Sequence, residues 1–512
     1  MDGKGGRSSW IGLATLAFIF AWSLAWILSR RFEGYPPGND SCYYLVAAKG
    51  IAAGRAYHDF SSPDPGAGTL LGPSFFPLIL SGYWRFLHPH LGLLKVLVAM
   101  LMATAPAFAF LWLRYLLPGL PALLVSLAFG SAYTFIVQGN SVMTECVFCP
   151  MLYAALWLGQ RDAARKNAGG RAGWEAWTGA ALWVMIARTR VIGWFFLAVF
   201  VILSGRRKRW AVATVSAAAA AGWVGLERLS ALGVRVTQYS DGMFTGMYPI
   251  LIDAKAGVLA LARNLGDNLW ALIGSTDAHI LFPYGYEAFQ MGKMKRAVCI
   301  AIFLITAWGF LLAWKRRKEL RPWVIAVLLS AVPTFLIFHA HDSFRYLMPF
   351  FPFQVLFFLE PFLAAAGKVE SGKAAPAWRK HLPVSVCALL LATQAAGSYR
   401  HDFETEFIDY PGDFTALHDA IPAGPGRPDL CLSPDAYYTY LKTGCPSFHL
   451  IGRHPLSYVA PIARGKEAWA ICGPRNDYYC EYWKEQGVVF GPPVKTVGSW
   501  RLMRVEHWPE RP

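Results

Sequence analysis

Stretches of about 20 apolar residues recur along most of this chain and restrict its fold more than any other feature. A helix rises 1.5 Å per residue and the hydrocarbon core of a membrane is about 30 Å thick, so one crossing needs about 20 helical residues. This criterion predicts about eleven transmembrane helices, at positions 9–28, 93–113, 118–137, 143–159, 174–188, 191–204, 210–226, 297–314, 322–339, 345–363 and 382–397. We therefore expect a mainly α, polytopic membrane protein.

The composition agrees with a membrane protein and argues against a nucleic-acid-binding protein. Of the 512 residues, 55% are hydrophobic and only 16% are charged, whereas about 25% are charged in soluble domains. The net charge of +16 comes from short basic clusters that lie between apolar stretches. Cytoplasmic loops of membrane proteins have this pattern, so we expect a multi-pass protein of the cell membrane and no nucleic-acid partner.

Four basic clusters set the orientation in the membrane. They are found at 161–171, 206–209, 315–321 and 368–380. Each successive pair is separated by two predicted spans, so all four lie on one face, which the positive-inside rule makes cytoplasmic. The N-terminus is then inside, and the odd number of spans places the C-terminal part of the chain outside.

This orientation divides the chain into two predicted domains. Residues 1–397 form the transmembrane domain, which includes a first outer loop at 30–91 and a long outer loop at 227–296. Residues 398–512 alternate short strand-like runs with helix-like segments, which predicts a small extracytoplasmic α/β domain. In the two outer loops, 72–87 is predicted to be an interfacial helix and 253–275 an amphipathic helix on the membrane surface.

The interval from Ala172 to Gly205 is too short for two full crossings. It allows about 50 Å of helix, whereas two crossings need about 60 Å. We predict a helical hairpin whose turn lies below the outer surface and submerges Arg188 and Arg190 of the sequence ARTR. A submerged arginine needs a carboxylate, a phosphate or a water-filled cavity. The alternative, one long tilted span, would leave both arginines in mid-bilayer.

Four of the nine cysteines lie in the predicted outer domain, namely Cys431, Cys445, Cys472 and Cys480. An even number permits two disulfides in an oxidising compartment, but the sequence does not determine which cysteines pair.

The first outer loop contains the candidate catalytic acid, Asp40, in the sequence YPPGNDSCYY. Either Asn39 or Asp40 precedes a helical pattern that continues to Ile51, so Asp40 is also a candidate helix N-cap. The two roles are compatible, because the positive end of the helix dipole keeps a carboxylate ionised. Asp59 and Asp64 follow in the same loop, where aspartates are more often solvated turn residues.

These features together resemble the GT-C glycosyltransferase superfamily, from the N-terminus to about Pro361. The resemblance rests on five sequence elements: the acid of the first outer loop with its Tyr-containing helix and GRAYHDF, then PSFFPLIL, the Thr144-Glu145 pair, ARTR, and FRYLMPFFP at 344–352. The chain is similar to protein O-mannosyltransferases, to lipid A aminoarabinose transferases and to lipopolysaccharide-core sugar transferases. It departs from them at Asn39, where a common version of the loop has Asp-Glu in place of Asn39-Asp40.

The resemblance implies transfer of a sugar, with inversion, from a polyprenyl phosphate to an extracytoplasmic lipid, glycan or protein. Asp40 would be the general base, and Arg345 would bind the leaving lipid phosphate, with Arg188 and Arg190 as competitors. Further candidates for substrate binding are Tyr43, Tyr44, Asp59, Glu145, His341 and Tyr346. Two of these residues also have possible roles that involve no substrate. The Arg345 side chain would extend to the membrane interface to keep its charge in water, and the Glu145 carboxylate would interact favourably with the helix dipole at a helix start.

No cofactor is predicted. His339 and His341 diverge on a helix and would converge on a metal ion only in an extended turn. A rival class is a polytopic transporter or lipid flippase, for which submerged arginines also make sense, although the sequence has no visible inverted repeat.

Overall fold

The computed structural model of the chain describes residues 4–30, 39–55, 61–64, 67–68, 75–87, 91–167, 173–230, 235–236, 254–273, 280–283, 292–337, 347–367, 377–400, 412–422, 426–449, 456–473 and 477–509.

Among the described residues, helices lie in every stretch that the sequence predicts to span the membrane, which confirms the mainly α fold. The helices before the C-terminal domain are α1 (Lys4–Ser29), α2 (Asn39–Ala52), α3 (Phe75–Leu87), α4 (Leu91–Leu113), α5 (Gly119–Gly130), α6 (Tyr133–Asn140), α7 (Glu145–Asn167), α8 (Trp174–Thr189), α9 (Gly193–Arg206), α10 (Trp210–Ser230), α11 (Ala254–Ala271), α12 (Gly292–Arg316), α13 (Arg321–Ile337), α14 (Phe351–Gly367) and α15 (Ala377–Arg400). Helices α3 and α11 coincide with the two helices predicted in the outer loops. Their position at the membrane surface stays a prediction.

Length and apolar composition make the chain a multi-pass membrane protein. Among the described residues, five helices are long and apolar enough to cross a membrane, and a sixth span is formed if α5 and α6 cross together. The sequence predicts one straight span at 118–137, but α5 and α6 meet there at 51°. The other predicted spans are helices that are shorter or less apolar, and three of them contain buried charges such as Glu145, Arg188 and Glu227.

The predicted hairpin is present, and the single long span is not. Helix α8 ends at Thr189, Arg190 is extended, and α9 begins at Gly193. A Cβ atom at Gly193 would collide with the carbonyl oxygen of Ile186, so the glycine permits the close return of α9 against α8.

Aromatic side chains fill the core of the membrane domain around α7. The ring of Trp112 lies 4.6 Å from Phe353 and 5.7 Å from Tyr153. The Tyr153 hydroxyl donates a hydrogen bond of 2.6 Å to the carbonyl of Pro349, which lies in the turn before α14. This bond fixes the chain that follows Arg345 to helix α7.

The C-terminal part is a small α/β fold, as predicted. Its helices are α16 (Gly412–His418), α17 (Ala436–Thr443), α18 (Leu456–Ala463) and α19 (Asp477–Glu485), and its strands are β3 (Leu430–Ser433), β4 (Ser447–His449), β5 (Ala468–Cys472), β6 (Val489–Val497) and β7 (Trp500–His507). The sheet order is β4-β3-β5-β7-β6. Strands β4, β3 and β5 are parallel to one another, and β7 is antiparallel to both of its neighbours, β5 and β6. One disulfide, Cys472–Cys480, joins the end of β5 to α19.

The two outer loops also pair with each other. Strand β1 (Ala67–Gly68) of the first outer loop runs parallel to β2 (Arg235–Val236) of the long outer loop.

Candidate active site

Asp40 lies in the first turn of α2, which begins at Asn39. The predicted helix is therefore confirmed, with the difference that Asp40 is inside the helix and not before it. The helix stops after Ala52, where Gly54 adopts a φ of 73° that favours glycine. A carboxylate in a first helical turn stays ionised because the helix dipole favours its negative charge.

Helix α2 lies between the membrane helices and the C-terminal domain. On one side, Leu45 and Ala48 belong to the core of the membrane domain, and the Trp84 indole of α3 donates to the Leu45 carbonyl at 2.9 Å. On the other side, Cys42 and Val46 pack in one cluster with aromatic residues of the C-terminal domain. The domain therefore holds the helix that carries Asp40.

Polar and aromatic contacts strengthen this interface. The Lys49 ammonium donates to the Tyr440 hydroxyl at 2.9 Å and lies 4.4 Å from the centre of its ring. The Tyr43 ring meets Tyr437 edge-on at 5.6 Å. In the first outer loop, the Ser61 carbonyl accepts a hydrogen bond of 2.6 Å from the backbone N–H of Ser447.

Two candidate residues of this region are buried. Tyr43, a candidate for sugar stacking, packs against Tyr437 and is 9% exposed, and its substrate role stays a prediction. Asp64 was expected to be a solvated turn residue, but it is buried, with 8% exposed. Tyr44, also a stacking candidate, packs edge-on against Phe76 of α3 at 5.3 Å.

A buried ion pair lies next to the start of α2. The Ser41 hydroxyl, adjacent to Asp40, contacts the Met143 sulfur at 3.4 Å, two residues before Glu145. Glu145 is fully buried and its Oε1 lies 2.6 Å from Nη1 of Arg190. The second carboxylate oxygen of Glu145 accepts a hydrogen bond of 3.1 Å from the Thr144 hydroxyl. The first turn of α2, which carries the candidate base, thus contacts the segment that leads to this buried charge pair.

The second submerged arginine also has a carboxylate partner. Arg188 forms an ion pair with Glu227 near the end of α10, and both side chains are at most 10% exposed. The guanidinium lies 5.8 Å from the centre of the Trp194 ring. Each of the two submerged arginines therefore has a carboxylate partner, which is one of the partners that a submerged arginine needs. A donor phosphate at Arg188 or Arg190 would have to share the guanidinium with an acid, so their substrate role stays a prediction.

The remaining candidates, Asp59, His341, Arg345 and Tyr346, lie outside the described residues, as does the Asp40 side chain. Within the part of the chain that the structure describes, no group of three or more His, Cys, Asp and Glu side chains is arranged to hold a metal ion.

Sequence reasoning missed two contributors to this region. Glu227 lies one residue beyond the predicted end of its span, in the sequence GLERLS. An acid at the end of an apolar stretch is the sequence feature that could have indicated a partner for a submerged arginine. No local sequence pattern could have indicated the contact between Lys49 and Tyr440, because the two residues are 391 positions apart.

Comparison with known proteins identifies the fold. No family model matches the chain, and no curated protein sequence matches it. Solved structures, in contrast, match the chain. ArnT from Cupriavidus metallidurans bound to undecaprenyl phosphate is 12% identical, with a TM-score of 0.50 over 98% of both chains. The Archaeoglobus fulgidus oligosaccharyltransferase in the apo form is 11% identical, with a TM-score of 0.51 over 98% of this chain and 75% of the other.

The same oligosaccharyltransferase, tethered with an acceptor peptide that contains the NVT sequon, is 12% identical and gives a TM-score of 0.50 over the same shares of the two chains. At these identities the likeness concerns the fold. The chain has the fold of the GT-C glycosyltransferases over nearly its whole length, which confirms the resemblance and extends it beyond Pro361.

Proposed function

We propose that this chain, which has the GT-C fold, is a membrane glycosyltransferase that moves a sugar from a polyprenyl phosphate to an extracytoplasmic acceptor. One observation carries the proposal: the chain shares its fold with a protein bound to undecaprenyl phosphate. The helix that carries Asp40 starts beside buried charges in this fold, where an acid and a lipid phosphate would meet. The lipid-phosphate donor and an acceptor follow from this likeness as proposals.

The proposed chemistry is a single inverting displacement. The acceptor hydroxyl gives its proton to Asp40 as its oxygen forms a bond to the anomeric carbon. The bond between that carbon and the phosphate oxygen breaks on the opposite side, and the lipid phosphate leaves with the bonding electrons. Arg345 stabilises the charge on this phosphate, because the planar guanidinium can donate two parallel hydrogen bonds to it.

We also propose that α2 and the C-terminal domain are outside the cytoplasm. The contact between them supports one common face for both. Basic residues of the predicted cytoplasmic clusters form ion pairs with acids of the membrane helices. Arg165 binds Glu175 at 2.8 Å, and Arg317 binds Glu360 at 2.8 Å. The Cys472–Cys480 disulfide is also typical of an oxidising compartment.

The test is a transfer reaction with purified protein in lipid nanodiscs. Polyprenyl phosphates that carry radiolabelled pentoses or hexoses are mixed with envelope lipids, glycans and peptides as acceptors. We expect label to move to one acceptor class while polyprenyl phosphate is released. A protein that moves the labelled lipid across a liposome bilayer without transferring its sugar would be a flippase, and the proposal would be wrong.

Arginine is proposed to stabilise the leaving phosphate without a cofactor. A chelator such as EDTA is therefore expected to leave the transfer rate unchanged in the same assay, and a loss restored by a divalent ion would contradict this part of the proposal.

A further inference from the structure

Two further cysteines of the C-terminal domain lie close enough to react. Cys431 lies on β3, and Cys445 lies two residues before β4 begins. Their sulfur atoms are 3.1 Å apart, and both side chains are fully buried. A disulfide needs about 2.05 Å between the sulfur atoms, so about 1 Å of movement would close the bond.

The backbone already holds the two residues in register. Strands β3 and β4 are parallel, with Cys431 paired to Ser447. The N–H of Cys431 donates to the Pro446 carbonyl at 2.8 Å, directly next to Cys445. Bond formation would therefore need only a side-chain adjustment.

The same domain forms a disulfide elsewhere. Cys472–Cys480 starts on β5, the strand next to β3. An environment that oxidises one of these pairs exposes the other to the same oxidant while the domain folds.

We propose that Cys431 and Cys445 form a second disulfide, which closes the segment from β3 through α17. Each thiol loses one proton and one electron as the sulfur atoms bond. A disulfide of the thiol–disulfide oxidoreductase class accepts the two electrons and two protons and becomes two thiols. The bond forms before the domain is fully packed, because neither sulfur is accessible afterwards.

The thiol chemistry agrees with this order of events. The contact with Cys445, and then burial, raise the pKa of the Cys431 thiol well above its ordinary value. The thiolate is the reactive form, so a folded, reduced pair would react slowly with any later oxidant.

The segment closed by this bond holds helix α2. Helix α17 contributes Tyr437 and Tyr440, which contact Tyr43 and Lys49 of α2. A covalent bond at the base of α17 would keep this surface in place. The disulfide itself does not depend on the proposed glycosyltransferase function, whereas its relevance to catalysis does.

Peptide mapping tests the proposal on the full chain. The protein is isolated from membranes without reductant, with thiols alkylated during lysis and again after denaturation. Trypsin cuts after Lys442, between Cys431 and Cys445, and after Arg475, between Cys472 and Cys480. We expect two linked peptide pairs, each of which separates on reduction. Cys299 and Cys387, buried in membrane helices, serve as controls and are expected to be alkylated.

Alkylated Cys431 and Cys445 beside an intact Cys472–Cys480 bond would overturn the proposal. Alkylation of all four cysteines would overturn it together with the outer placement of the domain.

A stability measurement does not depend on peptide recovery. The double variant Cys431→Ala/Cys445→Ala removes both members of the pair, so neither is left as an unpaired thiol, and Cys299→Ala is the control. Without reductant, we expect the double variant to unfold at a lower urea concentration than the wild type. With reductant, we expect this difference in urea concentration to shrink. If the difference were the same with and without reductant, the two cysteines would contribute only packing, and the proposal would be wrong. Transferase activity is measured separately, so a missing disulfide and a missing transferase remain distinguishable.

Discussion

Single residues show most clearly how this fold accommodates charge in an apolar setting. Glu145 and Arg190 are both at least nine-tenths buried, and each would be costly without the other. Removing one partner of such a pair destabilises a protein by about 3–5 kcal/mol, because the remaining charge stays buried and uncompensated.

We therefore expect Glu145→Gln to destabilise the protein by about 3 kcal/mol or more, and Glu145→Gln/Arg190→Met to cost less than the sum of the two single changes. Thermal unfolding in nanodiscs measures both. The exposed pair Glu481 and Lys484 is the control, and Glu481→Gln should cost about 0–1 kcal/mol. Additive effects of the Glu145 and Arg190 changes would mean that the two charges do not depend on each other.

A buried histidine of the C-terminal domain predicts a pH dependence. Burial is the main reason why the pKa of His418 is lowered from an ordinary 6.5 to about 4. Lys442 also lowers this pKa, whereas the hydrogen bond to the Phe414 carbonyl and the charge of Asp419 raise it. The ring nitrogens bind the Phe414 carbonyl at 2.8 Å and the Thr439 hydroxyl at 2.9 Å. The unfolded chain takes up a proton near pH 6.5 but the folded domain does not, so the stability is complete above 6.5 and declines as the pH falls toward 4.

From pH 7.5 to 5 we expect the domain to lose about 2 kcal/mol of unfolding free energy, at about 1.4 kcal/mol per pH unit below 6.5. Pulse proteolysis of the full chain in urea measures this loss. His418→Gln should remove it, whereas His507→Gln, at an exposed position of the same domain, should keep it. A His418→Gln protein with the same loss would assign the pH dependence to other groups.

At the scale of the elements, the contact between α2 and α17 controls how firmly the candidate base is held. Tyr440 both accepts a hydrogen bond from Lys49 and lies beneath its charge. Cys42, fully buried in this interface, reports any opening.

We expect Tyr440→Ala to lower the free energy of opening by about 2 kcal/mol, and so to speed maleimide alkylation of Cys42 about 30-fold. Tyr440→Phe keeps the ring and should have a smaller effect. Tyr115→Ala, at a half-exposed tyrosine outside the interface, is the control. Peptide mass spectrometry measures the rates, and equal rates in all proteins would refute the proposed hold on α2.

Elements were more predictable than their contacts. The hairpin of α8 and α9 follows from length alone, because 34 residues from Ala172 to Gly205 cannot cross the membrane twice in full. The break between α5 and α6 was missed, because hydropathy adds up apolar residues and is insensitive to a change of helix direction. The contact between Tyr43 and Tyr437 was missed because Tyr437 lies in a domain that local patterns do not connect to Tyr43.

At the scale of the whole molecule, the basic clusters and the α2 contact imply two chemically different faces. All nine cysteines are buried, so an introduced exposed cysteine can be labelled above a low background. We expect a membrane-impermeant maleimide to label Lys466→Cys in intact cells, and Lys318→Cys only after permeabilisation, since both positions are exposed and the proposed orientation puts them on opposite faces. The reverse pattern would put the C-terminal domain in the cytoplasm.

The repeated charge clusters predict an orientation, which stays a prediction, whereas no sequence pattern predicted the docking of the C-terminal domain. That docking joins residues hundreds of positions apart through a few aromatic and polar side chains. The candidate acid could therefore be found in the sequence, whereas the residues that surround its helix come together only in the folded chain.

The most direct test of the account is the rate of sugar transfer from a polyprenyl phosphate by the wild type and by Asp40→Asn. Asp419→Asn, at an exposed aspartate of the C-terminal domain with 66% of its side chain accessible, is the matched control. We expect the wild type and the control to transfer sugar equally and Asp40→Asn to be about 100-fold slower or worse, because an amide cannot accept the acceptor's proton. Undiminished transfer by a folded Asp40→Asn protein would contradict the account.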